Sequence, residues 1–383
     1  MREPQAAPST SLTFASLASP LARGQAQSII DRLQQRSPRL ACRLDLLESP
    51  QAEAQRARET FVAASRAEIK FLLAALREKR TRLVVLEASD LLALPETDAV
   101  IACVPDRGAP FDAFLNRGGF IMDEMEAGRR IGVLSHRVRA QLQSLWPDLR
   151  FEILRGGVDR AMETHLRRSE IDGLVLPSSV TEHLGIQGIV AEIFAPEFVL
   201  PGPGQGTLVV MARPDDDEAR ELLAPLHSED SALELAAETA FHRRMLPDQD
   251  LPVGALARVS PEGIAILGGT GAGKRRISVS GTLEEASLVG DGLAQQILSH
   301  SDTFTDLLEG DFPDGLPEEK DEDATLLGQM ADEDDEEAGL DADLDEFEDL
   351  EDLRRFEDLA GLGDDDDDGP VEDEDPDGYE EDH

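Results

Sequence analysis

Cysteine and the large aromatics are what this chain has least of: two Cys, one Trp and one Tyr in 383 residues. Cys42 and Cys103 both lie in apolar runs, LACRLDLL and AVIACV. That is the setting of reduced core thiols, not of a disulfide framework or a reactive nucleophile. The seven histidines form no HxxxH or HExxH pair and have no cysteine at ligand spacing, so no metal is expected. With so few stacking platforms and no cluster of Lys and Arg, nucleic acid is not expected as a partner. No window approaches the roughly 18 apolar residues of a membrane helix, and MREPQAAPSTS has no apolar core of signal-peptide length. A cytoplasmic monomer without a membrane partner is the expectation.

Negative charge is what the chain has in excess. Its formal net charge is −44, and most of it comes from residues 303–383, which carry 38 acidic against 3 basic residues. Such a segment buries too little apolar surface to offset the entropy of ordering, so 303–383 is expected to be a disordered acidic tail. Within it Leu344, Phe347, Leu350, Leu353, Phe356 and Leu359 recur every three residues. On a 3.6-residue helix that period drifts by about 60° per step, so it makes no single stripe. A solvated tail and a segment that binds a basic partner both remain open.

From about residue 12 to 213, short apolar runs alternate with amphipathic stretches, the pattern of an α/β fold with a largely parallel sheet. Ser19 followed by Pro20 is a helix opening, and Leu21, Ala22, Ala26, Ile29, Ile30 and Leu33 mark one face. Strands are expected at 40–47, 83–86, 99–104, 130–134, 151–154, 173–176 and 207–211, with helices over 62–79, 137–145, 158–168 and 215–225. After Ser228 the pattern becomes helix (230–245), three strands (254–259, 263–268, 276–281) and helix (284–299). This reads as a separate small α+β domain.

Two glycine-rich stretches invite a nucleotide reading. Residues 268–274, GGTGAGK, satisfy the GxxxxGK spacing of a phosphate-cradling loop ending in Lys274. Arg275 stands where a Ser or Thr should bind Mg²⁺, however, and the next residues read as a strand where the motif needs a helix. A β-hairpin turn is the plainer reading. Gly202, Gly204 and Gly206 similarly feed a strand, not the helix of a dinucleotide fingerprint.

Several segments, in order, resemble the hydroxymethylbilane synthase (porphobilinogen deaminase) family of tetrapyrrole and heme biosynthesis. They are Ser19-Pro20-Leu21-Ala22 with Gln25-Ala26; Pro110-Phe111-Asp112-Ala113-Phe114; Arg130-Ile131-Gly132 through Ser135, Arg137 and Gln141; Leu154-Arg155-Gly156-Gly157-Val158; Leu200-Pro201 with Pro203-Gly204-Gln205-Gly206; Ala240-Phe241-His242-Arg243-Arg244; and Leu251-Pro252-Val253-Gly254. The resemblance spans about 12–300. It implies two periplasmic-binding-protein-like α/β domains, 10–100 with 197–214 and 101–196, a small α+β domain at 215–302, and an active cleft between the first two.

The family joins four porphobilinogen units on a dipyrromethane cofactor that is thioether-linked to a cysteine. By resemblance Asp90 is the catalytic carboxylate, and Ser19, Ser135, Arg137 and Arg155 are substrate- and cofactor-binding residues for a small polycarboxylate pyrrole. The plainer reading of Asp90 is a turn or helix cap. Leu17, Ala161 and His183 occupy positions where the family carries arginines. No glycine stands between Leu47 and Glu68, where the family has a glycine-rich loop, and Lys70 reads as a surface lysine.

Gln249 occupies the cofactor-attachment position. A carboxamide cannot act as the thiolate that forms the thioether, so covalent attachment is not expected. The leading expectation is therefore a catalytically impaired or repurposed member. The alternatives are a synthase with a noncovalently held primer and a nucleotide-binding protein using residues 268–274.

Overall fold

The computed structural model describes residues 11–50, 58–94, 97–245, 252–270 and 276–299. Gln249, Lys274 and the acidic tail lie outside them.

The described elements run, in order, β1 (Ser11–Leu17), α1 (Pro20–Arg36), β2 (Ala41–Leu47), α2 (Arg66–Arg77), β3 (Leu83–Glu87), α3 (Ala88–Leu92), β4 (Val100–Cys103), β5 (Asp112–Leu115) and β6 (Arg130–Val133). They continue with α4 (His136–Leu145), β7 (Arg150–Ile153), α5 (Gly157–Met162), a π-helical turn over Glu163–Arg168, β8 (Gly173–Pro177), α6 (Ser178–Leu184), β9 (Val190–Ile193) and β10 (Leu208–Ala212). The last group is α7 (Asp217–Leu223), α8 (Glu229–Arg244), β11 (Val253–Ser260), β12 (Gly263–Thr270), β13 (Arg276–Gly281) and α9 (Ala286–Ser299).

Two five-stranded sheets share one pairing plan. The first has the order β2-β1-β3-β10-β4 and the second β7-β6-β8-β5-β9. In each, the first three strands are parallel and the fourth is antiparallel to both its neighbours. The fourth strands are the ones that arrive by crossing between sheets. β5 follows the passage from β4, and β10 follows the return from β9. Strands β3, β8 and β10 are buried along their whole length, as expected for sheet centres covered on both faces, and they read in sequence as apolar runs, with Glu87 closing β3.

The predicted opening of α1 is present. Ser19 caps it, its Oγ accepting from Ala22 N at 3.4 Å; Leu21 is buried, and Ala26, Ile29, Ile30 and Leu33 are buried against the first sheet. The third group is the antiparallel sheet β11-β12-β13 with α8 and α9 packed on it around Phe241, Ile266 and Leu293.

Three expectations need correction. The helix placed over 62–79 begins only at Arg66, where Ser65 and Glu68 form a capping box. The helix placed over 158–168 ends at Met162 and gives way to the π-helical turn. A division at residue 101 would split β4, which pairs with β10 in the first sheet. Cys103 is thus a fully buried first-sheet residue, its thiol pushed up to about 12 by burial.

Candidate functional site

Parallel strands leave their carboxyl ends at one edge of a sheet, where ligands of α/β proteins gather. Here β1 leads to Ser19, β3 to Glu87, Ser89 and Asp90, β6 to Ser135 and Arg137, and β7 to Arg155. All five sequence-predicted residues within the described chain therefore lie at strand ends. Their side chains do different jobs.

Asp90 is 6% exposed. Its carboxylate accepts from Val62 N at 2.9 Å, Ala63 N at 2.8 Å and Ala64 N at 2.9 Å. Burial lifts the Asp90 carboxyl to about 6, and the Glu68 charge adds to the rise, against the pull of those three N–H groups. Beside it, Glu87 is 2% exposed and accepts from Gln25 Nε2 at 2.9 Å and Gly206 N at 3.0 Å. Burial and the nearby Asp90 charge raise the Glu87 carboxyl to about 8.

Residues 58–64 bridge the crevice. Their N–H groups feed Asp90, while the carbonyls of Glu59 and Val62 accept from Gly156 N at 3.2 Å and Val158 N at 3.3 Å. The exposed Arg155 guanidinium donates to the Arg58 carbonyl. Gly156 and Gly157 have φ of 96° and 78°, and a Cβ on Gly157 would fall 2.3 Å from the Phe61 ring. Glycine at 157 is thus required by both conformation and close approach.

Arg137 points into a second network. It donates to Asp112 Oδ2 at 2.9 Å, to Gln205 Oε1 at 2.9 Å and to the Leu200 carbonyl. Gln205 Nε2 donates in turn to Pro110 O at 2.8 Å and to Asp112 Oδ1 at 3.2 Å. The two crossing segments are joined again by Gly108 N to Gly206 O at 2.9 Å. Glu238 of α8 is fully buried and accepts from Arg107 Nη1 at 2.7 Å, Gly204 N at 2.6 Å and Ala257 N at 2.8 Å. One carboxylate thereby holds both crossings and the third sheet. A buried ion pair of this kind depends on its surrounding hydrogen bonds to offset desolvation.

Ser19 and Ser135 act as helix caps, the latter accepting from Val138 N at 3.2 Å. Leu17 is 2% and Ala161 1% exposed, so both are buried, Leu17 within an apolar cluster of the first sheet. His183 is half-buried, and burial lowers its pKa. Lys70 is exposed on α2. Sequence reasoning gave no role to Glu87, Arg107 or Glu238. The signal for Glu87 was a carboxylate at the end of the apolar run LVVLE, where an ionisable group needs a reason. Among the described residues no group of His, Cys, Asp or Glu could hold a metal ion, and no helix is long and apolar enough to cross a membrane.

The loop between β12 and β13 lies outside the described residues, but its flanks are paired antiparallel from Ile264↔Gly281 to Gly269↔Arg276. The GGTGAGK stretch therefore joins two strands of one hairpin.

Comparison with known proteins gives a consistent picture. Residues 12–221 match the family model described as "Porphobilinogen deaminase, dipyromethane cofactor binding domain". The porphobilinogen deaminase of Roseiflexus castenholzii is 33% identical over 298 residues, covering 75% of this chain and 96% of that protein. The porphobilinogen deaminase of Thermus thermophilus is 32% identical over 285 residues, covering 73% and 93%.

Proposed function

The chain belongs to the porphobilinogen deaminase family, and we propose that it is a catalytically impaired or repurposed member, one that keeps the fold of a tetrapyrrole-biosynthesis enzyme without its covalently primed polymerisation. The observation that carries this reading is the state of Asp90. Its carboxylate is already taken up by three N–H groups of the chain's own backbone, which leaves little acceptor capacity for pyrrole N–H groups.

The surroundings of Asp90 point the same way. A dipyrromethane carries carboxylates that need cationic partners. Leu17 and Ala161 are buried apolar side chains at positions where the resemblance implies arginines, and Arg137 is committed to Asp112, Gln205 and Leu200. The described residues do not fit that group. Gln249, known from the sequence alone, offers no thiol for its attachment.

One observation favours a second reading, an active synthase with a noncovalently held primer. An Asp90 carboxyl near 6 is suited to passing protons near neutrality. The hairpin pairing around residues 268–274 counts against the third reading, nucleotide binding, because that motif needs a helix N-terminus after the loop.

Incubating the purified protein with porphobilinogen, then measuring uroporphyrin absorbance after oxidation and the intact mass, separates the first two. No product and an unmodified mass are expected. Turnover that Asp90→Asn abolishes would overturn the impaired reading in favour of the noncovalent one.

A further inference from the structure

Residues 58–64 do more than cover a carboxylate. They give donors to one side of the crevice and acceptors to the other. Val62, Ala63 and Ala64 supply three N–H groups to Asp90 at the end of the first sheet. Glu59 and Val62 offer carbonyls to Gly156 and Val158, which follow β7 of the second sheet, and the Arg58 carbonyl accepts from Arg155. Phe61 covers Gly157. Val62 does both jobs, its N–H bound to one sheet's residue and its carbonyl to the other's.

The segment has no place in a helix or a sheet ladder. An α2 extended backward over these residues would use the same N–H groups within the helix, so the contacts with Asp90 and 156–158 replace regular structure. Phe61 and Val62 are only half-buried, although the carboxylate beneath is almost fully enclosed. Ala63 and Ala64 are buried, Ala64 in an apolar cluster with Ile69 and Leu72, and the strap is held by that packing together with hydrogen bonds to residues following strands of both sheets.

We propose that residues 58–64 are an intramolecular occupant of the crevice, a strap that ties Asp90 to residues 155–158 and must leave before Asp90 can accept from any other molecule. The displacing molecule must bring several convergent N–H donors, the chemistry of a pyrrole bearing a protonated amine. That last step rests on the family reading above, whereas the strap itself does not.

Amide hydrogen exchange on the full chain, normalised to intrinsic rates, reads both ends of the strap at once. Phe61→Ala removes the ring over Gly157 and leaves Asp90 in place. Asp90→Asn keeps the size but loses one carboxylate oxygen. Each variant is expected to speed exchange at 62–64 and at 156 and 158 together, by tenfold or more. Unchanged exchange, or loosening at 62–64 while 156 and 158 stay protected, overturns the strap. If Asp90→Asn does not fold, Phe61→Ala decides alone.

Porphobilinogen is the probe for the displacing ligand. Binding to Phe61→Ala at least tenfold tighter than to the unaltered protein supports displacement. Binding to the unaltered protein with 62–64 still protected overturns it. A strap loosened in the variants, with no porphobilinogen binding to any of them, upholds the strap and removes the family ligand instead.

Discussion

Arg137 and Asp112 face each other at 2.9 Å, 8% and 1% exposed, with Gln205 bonded to both. An arginine that resemblance assigns to an anionic ligand is here held by the protein's own carboxylate. Removing one partner of a buried, hydrogen-bonded ion pair leaves the other charge without compensation, at a cost of about 3–5 kcal/mol. Arg137→Ala and Asp112→Ala are each expected to lose that much stability, and the double variant much less than their sum. Urea unfolding followed through Trp146, the single tryptophan, provides the measurement. Additive losses would mean that the pair is not coupled.

Restoring a thiol with Gln249→Cys is expected not to restore turnover. Each charge-assisted hydrogen bond contributes about 1.5–3 kcal/mol. Three arginine positions filled by Leu17, Ala161 and His183 therefore cost roughly a thousandfold or more in affinity for a polycarboxylate. Uroporphyrin formed at rates within tenfold of an ordinary family member would contradict this.

The contribution of Asp90 and Glu87 to stability should fall as pH rises. The carboxyls of Asp90 and Glu87 are raised from 3.8 to about 6 and from 4.5 to about 8. Between those values the folded chain holds protons that the unfolded chain has released. Their stabilising contribution is complete below about pH 4 and is lost as pH rises through 8. Glu87→Gln keeps an acceptor for Gly206 N and removes the charge. It should flatten the upper part of the decline and make the protein more stable at pH 8, by on the order of 2–4 kcal/mol. Parallel pH–stability curves for the two proteins would refute the assignment.

Gly290→Ala tests packing far from the crevice. In a helix interior this change ordinarily stabilises by about 1 kcal/mol. Here a Cβ would fall 1.9 Å from the Ala237 carbonyl oxygen of the neighbouring helix, and overpacking of that kind costs about 1–3 kcal/mol. A lower melting temperature by calorimetry is expected, and a higher one would show that α8 and α9 are not in such close contact.

Much of this architecture is legible in the sequence where burial is two-sided or a helix carries its own start signal. The run at Leu83–Glu87, the run at Leu208–Ala212 and the Ser19-Pro20 opening are local patterns, and the structure places strands and a helix there. The short elements β5, β9, α3 and α6 escaped notice, being four to seven residues long. The acid that begins β5 reads as surface chemistry until Arg137, 25 residues on, is placed beside it. Residues 62–64 carried a helix-like pattern, yet their N–H groups bind a carboxylate more than two dozen residues later, and the helix begins only at Arg66.

The sequence by itself determined the family, the alternation of strands and helices, the distinct third group after Ser228 and the absence of a thiol at Gln249, because each rests on residue identity or on periodicity along the chain. The commitments of the crevice were decided only by tertiary structure. Whether Asp90 faces a ligand or a backbone, and whether Arg137 faces an anion or Asp112, depends on which distant groups the fold brings within about 3 Å. Hydrogen bonds and ion pairs act over that distance, and separation along the chain does not predict it.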